Sequence, residues 1–108
     1  MYRYVPANHI LVPVGTAEVK VNLYKTVGQS PVDKAPAVFV ITGAHDRAMN
    51  ANFMYIEVGH AAQNIYLQAV PLGLGTVVIG GFDPEEVSVA CGLTAQDRPL
   101  YIIPVGKK

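Results

Sequence analysis

The stretch on which the fold turns runs Phe53-Met54-Tyr55-Ile56-Glu57-Val58-Gly59-His60-Ala61-Ala62-Gln63-Asn64-Ile65-Tyr66-Leu67-Gln68-Ala69-Val70-Pro71-Leu72. Its polar residues Glu57, His60, Asn64 and Gln68 are spaced by three, four and four, which lines them up as one narrow stripe on a helix. Apart from Gln63, the rest is apolar, aromatic or small. A helix facing solvent carries a wide, charged face, and here only Glu57 bears a full charge. The spacing predicts a helix over Phe53–Leu72 at the centre of the fold or of an oligomer interface. Gly59 would let another backbone approach it, and Pro71 removes a hydrogen-bond donor where regular helix must stop. His60, within so apolar a helix, is expected to be a hydrogen-bonded core histidine.

Downstream, Leu72–Gly75 reads as a turn and Thr76-Val77-Val78-Ile79 as a buried strand of β-branched residues. Gly80-Gly81 follows at once. Asp83 is a good N-cap, Pro84 suits the first helical position, and Glu85 and Glu86 complement the positive end of the helix dipole. That helix should reach Cys91, with Gly92 as its stop. A loop over Thr94–Arg98 leads to a last strand, Leu100–Val105, and to Gly106-Lys107-Lys108.

Upstream, Pro6 and Pro13 confine a strand at His9–Val12 to a sheet edge. Val19, Leu23 and Val27 recur every four residues, so Glu18–Val27 is expected to be a short amphipathic helix ended by Gly28. Gln29–Pro36 reads as a loop. Ala37–Ile41 reads as a continuous apolar strand buried on both faces, and Gly43–Asn52 as one or two helical turns or an irregular lead-in. Helices and strands alternate late in the chain, so the class is mixed α and β.

Composition bounds the function. The 108 residues suit one compact domain. Apolar residues make up 51% and charged residues only 15%, which excludes disorder and leaves surface for partners to cover. Eight basic residues balance eight acidic ones, so no basic field exists to hold a nucleic-acid backbone. One cysteine excludes a disulfide framework and any multi-cysteine metal site. Met1–Asn8 lacks the apolar run of a secretory signal, and a cytoplasmic setting is expected. Val58–Phe82 holds no Asp, Glu, Lys or Arg, but its many polar groups and glycines argue against a membrane span.

Most chemical motifs fail. Gly73-Leu74-Gly75 lacks the third glycine of a dinucleotide fingerprint and precedes a strand instead of following one. Gly75 to Gly80 has P-loop spacing, yet Gly81-Phe82 stands where Lys-Ser/Thr is required. His9, His45 and His60 show no ligand spacing, so no metal site is expected. Cys91, at the electronegative end of its helix, reads as a small core residue. Gly80-Gly81 leaves two readings: a tight turn needing positive φ, or backbone N–H groups bared for a flat ligand. Lys107 and Lys108 could meet a phosphate or simply be solvated.

Taken in order, Glu57-Val58-Gly59-His60-Ala61-Ala62-Gln63-Asn64, Leu72-Gly73-Leu74-Gly75-Thr76, Ile79-Gly80-Gly81-Phe82-Asp83 and Pro104-Val105-Gly106 resemble the nitroreductase superfamily. The branch they look most like is the SagB-type dehydrogenases, and Tyr2-Arg3-Tyr4, His9 and Lys34-Ala35-Pro36 fit the same branch. The resemblance spans nearly the whole chain and only the second half of the family's domain. It implies an α+β fold, with a mixed sheet packed on a long buried central helix. It also implies a homodimer with FMN at the subunit interface, passing hydride between NAD(P)H, flavin and a quinone or nitroaromatic acceptor. Val78, Ile79, Gly80 and Gly81 match the segment lining the isoalloxazine, with the Gly80 and Gly81 N–H groups toward flavin N5 and O4. No side chain need act as an acid there, so no catalytic residue is expected. The Lys-Tyr pair of azoline dehydrogenases is missing from His45–Met54, which argues against that substrate. The family's phosphate-gripping first half is also missing. The chain is then a fragment of a larger protein, or a short chain whose partner supplies the rest, or a non-catalytic dimerising remnant or binding module.

Overall fold

The computed structural model describes residues 1–108. In chain order the elements are β1 (Tyr2–Val5), β2 (Ile10–Pro13), α1 (Val19–Val27), α2 (Ser30–Lys34), β3 (Ala37–Ala44), α3 (Ala51–Ala69), β4 (Leu74–Thr76), α4 (Pro84–Cys91) and β5 (Asp97–Lys107). β1 and β2 form a separate hairpin, while the main sheet runs β3-β5-β4. Every pairing is antiparallel, where a mixed sheet was expected.

β5 is central because its run Tyr101-Ile102-Ile103-Pro104-Val105 alternates between two buried faces. Ile102 joins Leu23, Val32, Ile79, Val87 and Cys91 on the side covered by α1, α2 and α4. Its neighbours Ile103 and Val105 turn the other way, onto Ala62 of α3. Helices therefore cover both faces of a three-stranded sheet, and Ile102 and Ile103 are wholly buried. Each contributes roughly 1.5–3 kcal/mol by leaving water.

The caps follow local chemistry. Asp83 accepts hydrogen bonds from the Glu85 and Glu86 N–H groups at 2.9 and 3.2 Å, and Gly92 closes α4 at φ 63°. Gly28 closes α1 at φ 69°. α3 starts at Ala51, two residues before the expected Phe53, because the Asn50 side chain accepts the Asn52 N–H at 2.8 Å. It ends at Ala69, ahead of Pro71.

Other expectations change. Ser30-Pro31 starts the short helix α2 inside the expected loop, with proline in the first turn where its missing N–H costs nothing. β5 begins at Asp97, absorbing part of the loop expected over Thr94–Arg98, because β3 extends to Ala44 and pairs with it past a register shift at Ile41/Thr42. β3 is not buried on both faces, since Phe39 is half exposed. α3 buries one face only, through Met54, Val58, Ala62 and Ala69. Phe53, Tyr55, Ile56, Leu67 and Val70 are uncovered. His60 is exposed with the rest of its polar stripe, so it is no core histidine.

The strand expected at Thr76–Ile79 exists only in part. Leu74, Gly75 and Thr76 pair with Lys107, Gly106 and Val105, and Ile79 pairs with Ile102 in the same register. Ile79 and Ile102 exchange N–H···O bonds at 2.9 and 3.0 Å. Two residues on, that register sets Val77 opposite Pro104, which has no N–H to give. The Pro104 carbonyl instead accepts the Thr76 hydroxyl at 2.8 Å, and the ladder lapses across Val77 and Val78.

Candidate functional site

Past the Ile79–Ile102 bridge the chain leaves the sheet edge at Gly80-Gly81 and enters α4 through Asp83. The Val78 N–H is held by the Tyr66 hydroxyl of α3 at 2.9 Å. Neither the Gly80 nor the Gly81 N–H has an acceptor within the chain. Both glycines are exposed.

The reason for glycine at these positions is not a turn. Positive φ occurs at Gly28, Gly73 and Gly92 but not at Gly80 or Gly81. A Cβ on Gly80 would lie 3.3 Å from Cε1 of Tyr101, tight but workable, and one on Gly81 would meet nothing within 4 Å. Neither backbone strain nor internal crowding demands glycine at Gly81. Of the two sequence readings, the turn needing positive φ is the one the structure removes.

Lys107 and Lys108 do not join this segment. Lys107 pairs with Leu74 at the far end of the same strand edge. From Ile102, opposite Ile79, to Lys107 is about 17 Å of extended chain. The stem of Lys108 lies against Gly75, its Cγ 3.3 Å from the place of a Cβ there. The glycines and the lysines can serve the two ends of an elongated ligand, never one small group.

Two open clefts lie elsewhere. A cleft of about 440 Å³ at the C-terminal end of α4 is lined by His45, Glu85, Ser88, Asp97 and Arg98 among others. A second, of about 390 Å³, lies between β3 and the first half of α3, lined by Ile41, Arg47, Met54, Glu57 and Leu100 among others. Neither reaches Gly80 or Gly81, which open onto free surface. No group of three or more His, Cys, Asp or Glu side chains gathers to hold a metal. No helix is long and apolar enough to cross a membrane. Cys91 is buried, and that burial pushes its thiol pKa up.

With this geometry in hand, the sequence profile of the Nitroreductase family matches residues 1–107. The chain belongs to that family. It is 35% identical to a Methanocaldococcus jannaschii protein named as a nitroreductase, over all of this chain and 57% of that protein. A Ralstonia eutropha structure, also named as a nitroreductase, superposes with a TM-score of 0.84 at 26% identity, over 98% of this chain and 52% of that one. A Clostridium difficile structure named as an FMN-dependent nitroreductase has the same fold, with a TM-score of 0.72 at 21% identity, over 88% of this chain and 60% of that one. The nitroreductase fold is therefore established, and this chain spans little more than half the length of these relatives.

Four further residues take part: Thr76 and Pro104 stand within the motifs quoted above, while Tyr66 and Tyr101 carry no mark in the sequence. Tyr66, Thr76, Tyr101 and Pro104 act through cross-strand register and helix packing. Only the opposition of Val77 and Pro104, visible once strand pairing is known, could have revealed them.

Proposed function

We propose that this chain is the C-terminal half of an FMN-dependent oxidoreductase domain and carries its main-chain contacts to the flavin ring. The observation that supports this best is the Gly80-Gly81 pair: two N–H donors without partners, and at Gly81 a missing side chain for which the fold itself has no need. Oxidised flavin presents acceptors along its N5–O4 edge, so the donor set and the bare backbone fit that group. Bound FMN would supply hydride transfer between NAD(P)H and a quinone or nitroaromatic acceptor. The chain's own part is to hold the ring with Val78, Ile79, Gly80 and Gly81, and to orient N–H dipoles where charge develops. No side-chain acid is required.

The phosphate end is supplied only in part. Lys107 and Lys108 are the cations available along this edge, whereas a dianion favours paired cations or a free helix N-terminus. The N-terminus of α4, beside the glycines, is already closed by the Asp83 carboxylate and flanked by Glu85 and Glu86. The remaining grip is assigned to a second chain carrying the other half of the domain.

Assembly has separate support. Only 16 of the 108 residues are buried, and the chain exposes 7251 Å². A folded monomer of 11.6 kDa is expected to expose about 5,800 Å², so about 1,400 Å² is in excess. A standard interface covers about 800 Å² per partner. Gly59 faces the same outside. It sits exposed in the middle of α3 with nothing within 4 Å of its absent Cβ, although a mid-helix glycine costs roughly 0.5–1 kcal/mol against alanine. Close approach of another backbone, in a homodimer or from the other half, would offset that cost. We place the working enzyme in the cytoplasm.

The test is Gly81→Val. A Cβ there meets nothing within 4 Å, so folding and thermal stability should stay near wild type while FMN binding, followed by quenching of flavin fluorescence, is lost. Wild-type affinity in that variant would refute the site.

A further inference from the structure

We infer that Tyr66 of α3 is a positioning residue for the Gly80–Gly81 donors, made necessary by Pro104. The inference rests on the flavin reading above for its consequence, though not for its geometry. Between Thr76 and Ile79 the register with β5 is kept, but Pro104 cannot donate to the Val77 carbonyl and its own carbonyl is taken by the Thr76 hydroxyl. The segment that ends in the two glycines is therefore tied to the sheet by the single Ile79–Ile102 pair. The Tyr66 hydroxyl replaces the missing ladder bond from the other side, accepting the Val78 N–H at 2.9 Å in a partly buried setting. Val78 also packs against the cluster of Ala62, Ile103 and Val105. With Val78 pinned to α3 and Ile79 pinned to β5, successive residues are fixed by different layers. The direction in which Gly80 and Gly81 leave the edge is set by both.

The ladder break thus has a use. A fully zipped strand would follow β5 alone, whereas this one takes its position from the central helix too. A change in α3 can then move the donors toward or away from a bound ring.

The experiment compares the wild-type chain with Tyr66→Phe, Pro104→Ala and the double variant. The Ile102–Pro104–Gly106 edge of β5 faces β4, so alanine at 104 brings an N–H toward the Val77 carbonyl and restores a ladder bond. In the chain without cofactor, ¹⁵N relaxation of the Gly80 and Gly81 amides reads the geometry directly. Tyr66→Phe should lower their order parameters from the rigid range of about 0.85 toward 0.6, and the double variant should recover them. FMN titration should show about a tenfold weaker dissociation constant for Tyr66→Phe, the effect of one hydrogen bond, with recovery in the double variant. Unchanged glycine order parameters in Tyr66→Phe would overturn the inference whether or not FMN binds. So would a loosening that Pro104→Ala fails to reverse, since a role in general packing predicts no rescue. If the wild-type chain ignores FMN while the relaxation pattern holds, the positioning stands and the flavin reading alone falls.

Discussion

Gly59→Leu should strengthen the isolated chain and weaken its assembly, two effects of opposite sign from one side chain. In α3 the position is solvent-exposed, and an added Cβ meets no atom within 4 Å. The first carbon of the new side chain has open space. Leucine is close to alanine in helix propensity, so the helix gains about 0.5–1 kcal/mol. For a domain near 100 residues that raises the melting temperature by roughly 2–8 °C. Tyr55 and Ile56, on the preceding turn, are 50% and 54% exposed and mark the face another backbone would meet. If that approach is close, a leucine there overpacks the contact by about 1–3 kcal/mol per protomer. Two protomers give at least about 2 kcal/mol, a thirtyfold or greater rise in the dissociation constant. Sedimentation equilibrium over a micromolar series, with urea unfolding at the most dilute point, reads both effects. A variant that gains stability and associates as tightly as wild type would refute the idea that Gly59 exists for a close approach.

Gly106→Ala should cost about 1–3 kcal/mol, because a Cβ there would lie 2.8 Å from Cδ of Pro36, a ring that cannot swing aside; chemical denaturation checks it, and a neutral result would contradict the packing of β5 against the Ala35–Pro36 turn. Burial raises the Cys91 thiol pKa, so the folded chain holds its proton where the unfolded chain, near pH 8.5, has begun to lose it. Stability carried by that proton is complete below the unfolded value and is lost as pH rises through the folded one. Urea midpoints should therefore fall on the alkaline side more steeply in wild type than in Cys91→Ala, and equal slopes would contradict this.

Much of the fold is legible because its signals are local. Asp83-Pro84-Glu85-Glu86 and Gly92 bracket α4, and Gly28 ends α1, through capping chemistry complete within a few residues. The apolar α3 is visible from its polar stripe. Its boundaries shift because Asn50 caps it earlier than the apolar pattern begins. What escapes is non-local. The break at Val77–Val78 depends on Pro104, 27 residues away in sequence, standing opposite in the register. β1 pairs residue for residue with β2, Tyr2 with Pro13 through Val5 with Ile10, yet Tyr2-Arg3-Tyr4 alone carries no clear pattern of burial. His60 was expected in the core, but it is exposed, because the sheet covers only the side of α3 bearing Met54, Val58, Ala62 and Ala69.

For the candidate site, the sequence leaves Gly80-Gly81 between two purposes, a turn needing positive φ and a backbone bared for a flat ligand. The structure narrows those further by removing positive φ as a cause. Tyr66 could not be found this way. A tyrosine in an apolar helix reads as packing, and only the position of the Val78 N–H makes its hydroxyl matter.

The central claim, that this half of the domain recognises the flavin ring through its backbone, is tested most directly by titrating FMN with the purified chain and recording the visible absorption band. Saturable binding of one FMN per chain is expected, with a perturbed band in the wild type and none in Gly81→Val. An FMN spectrum that stays that of free flavin at every chain concentration reached would contradict it.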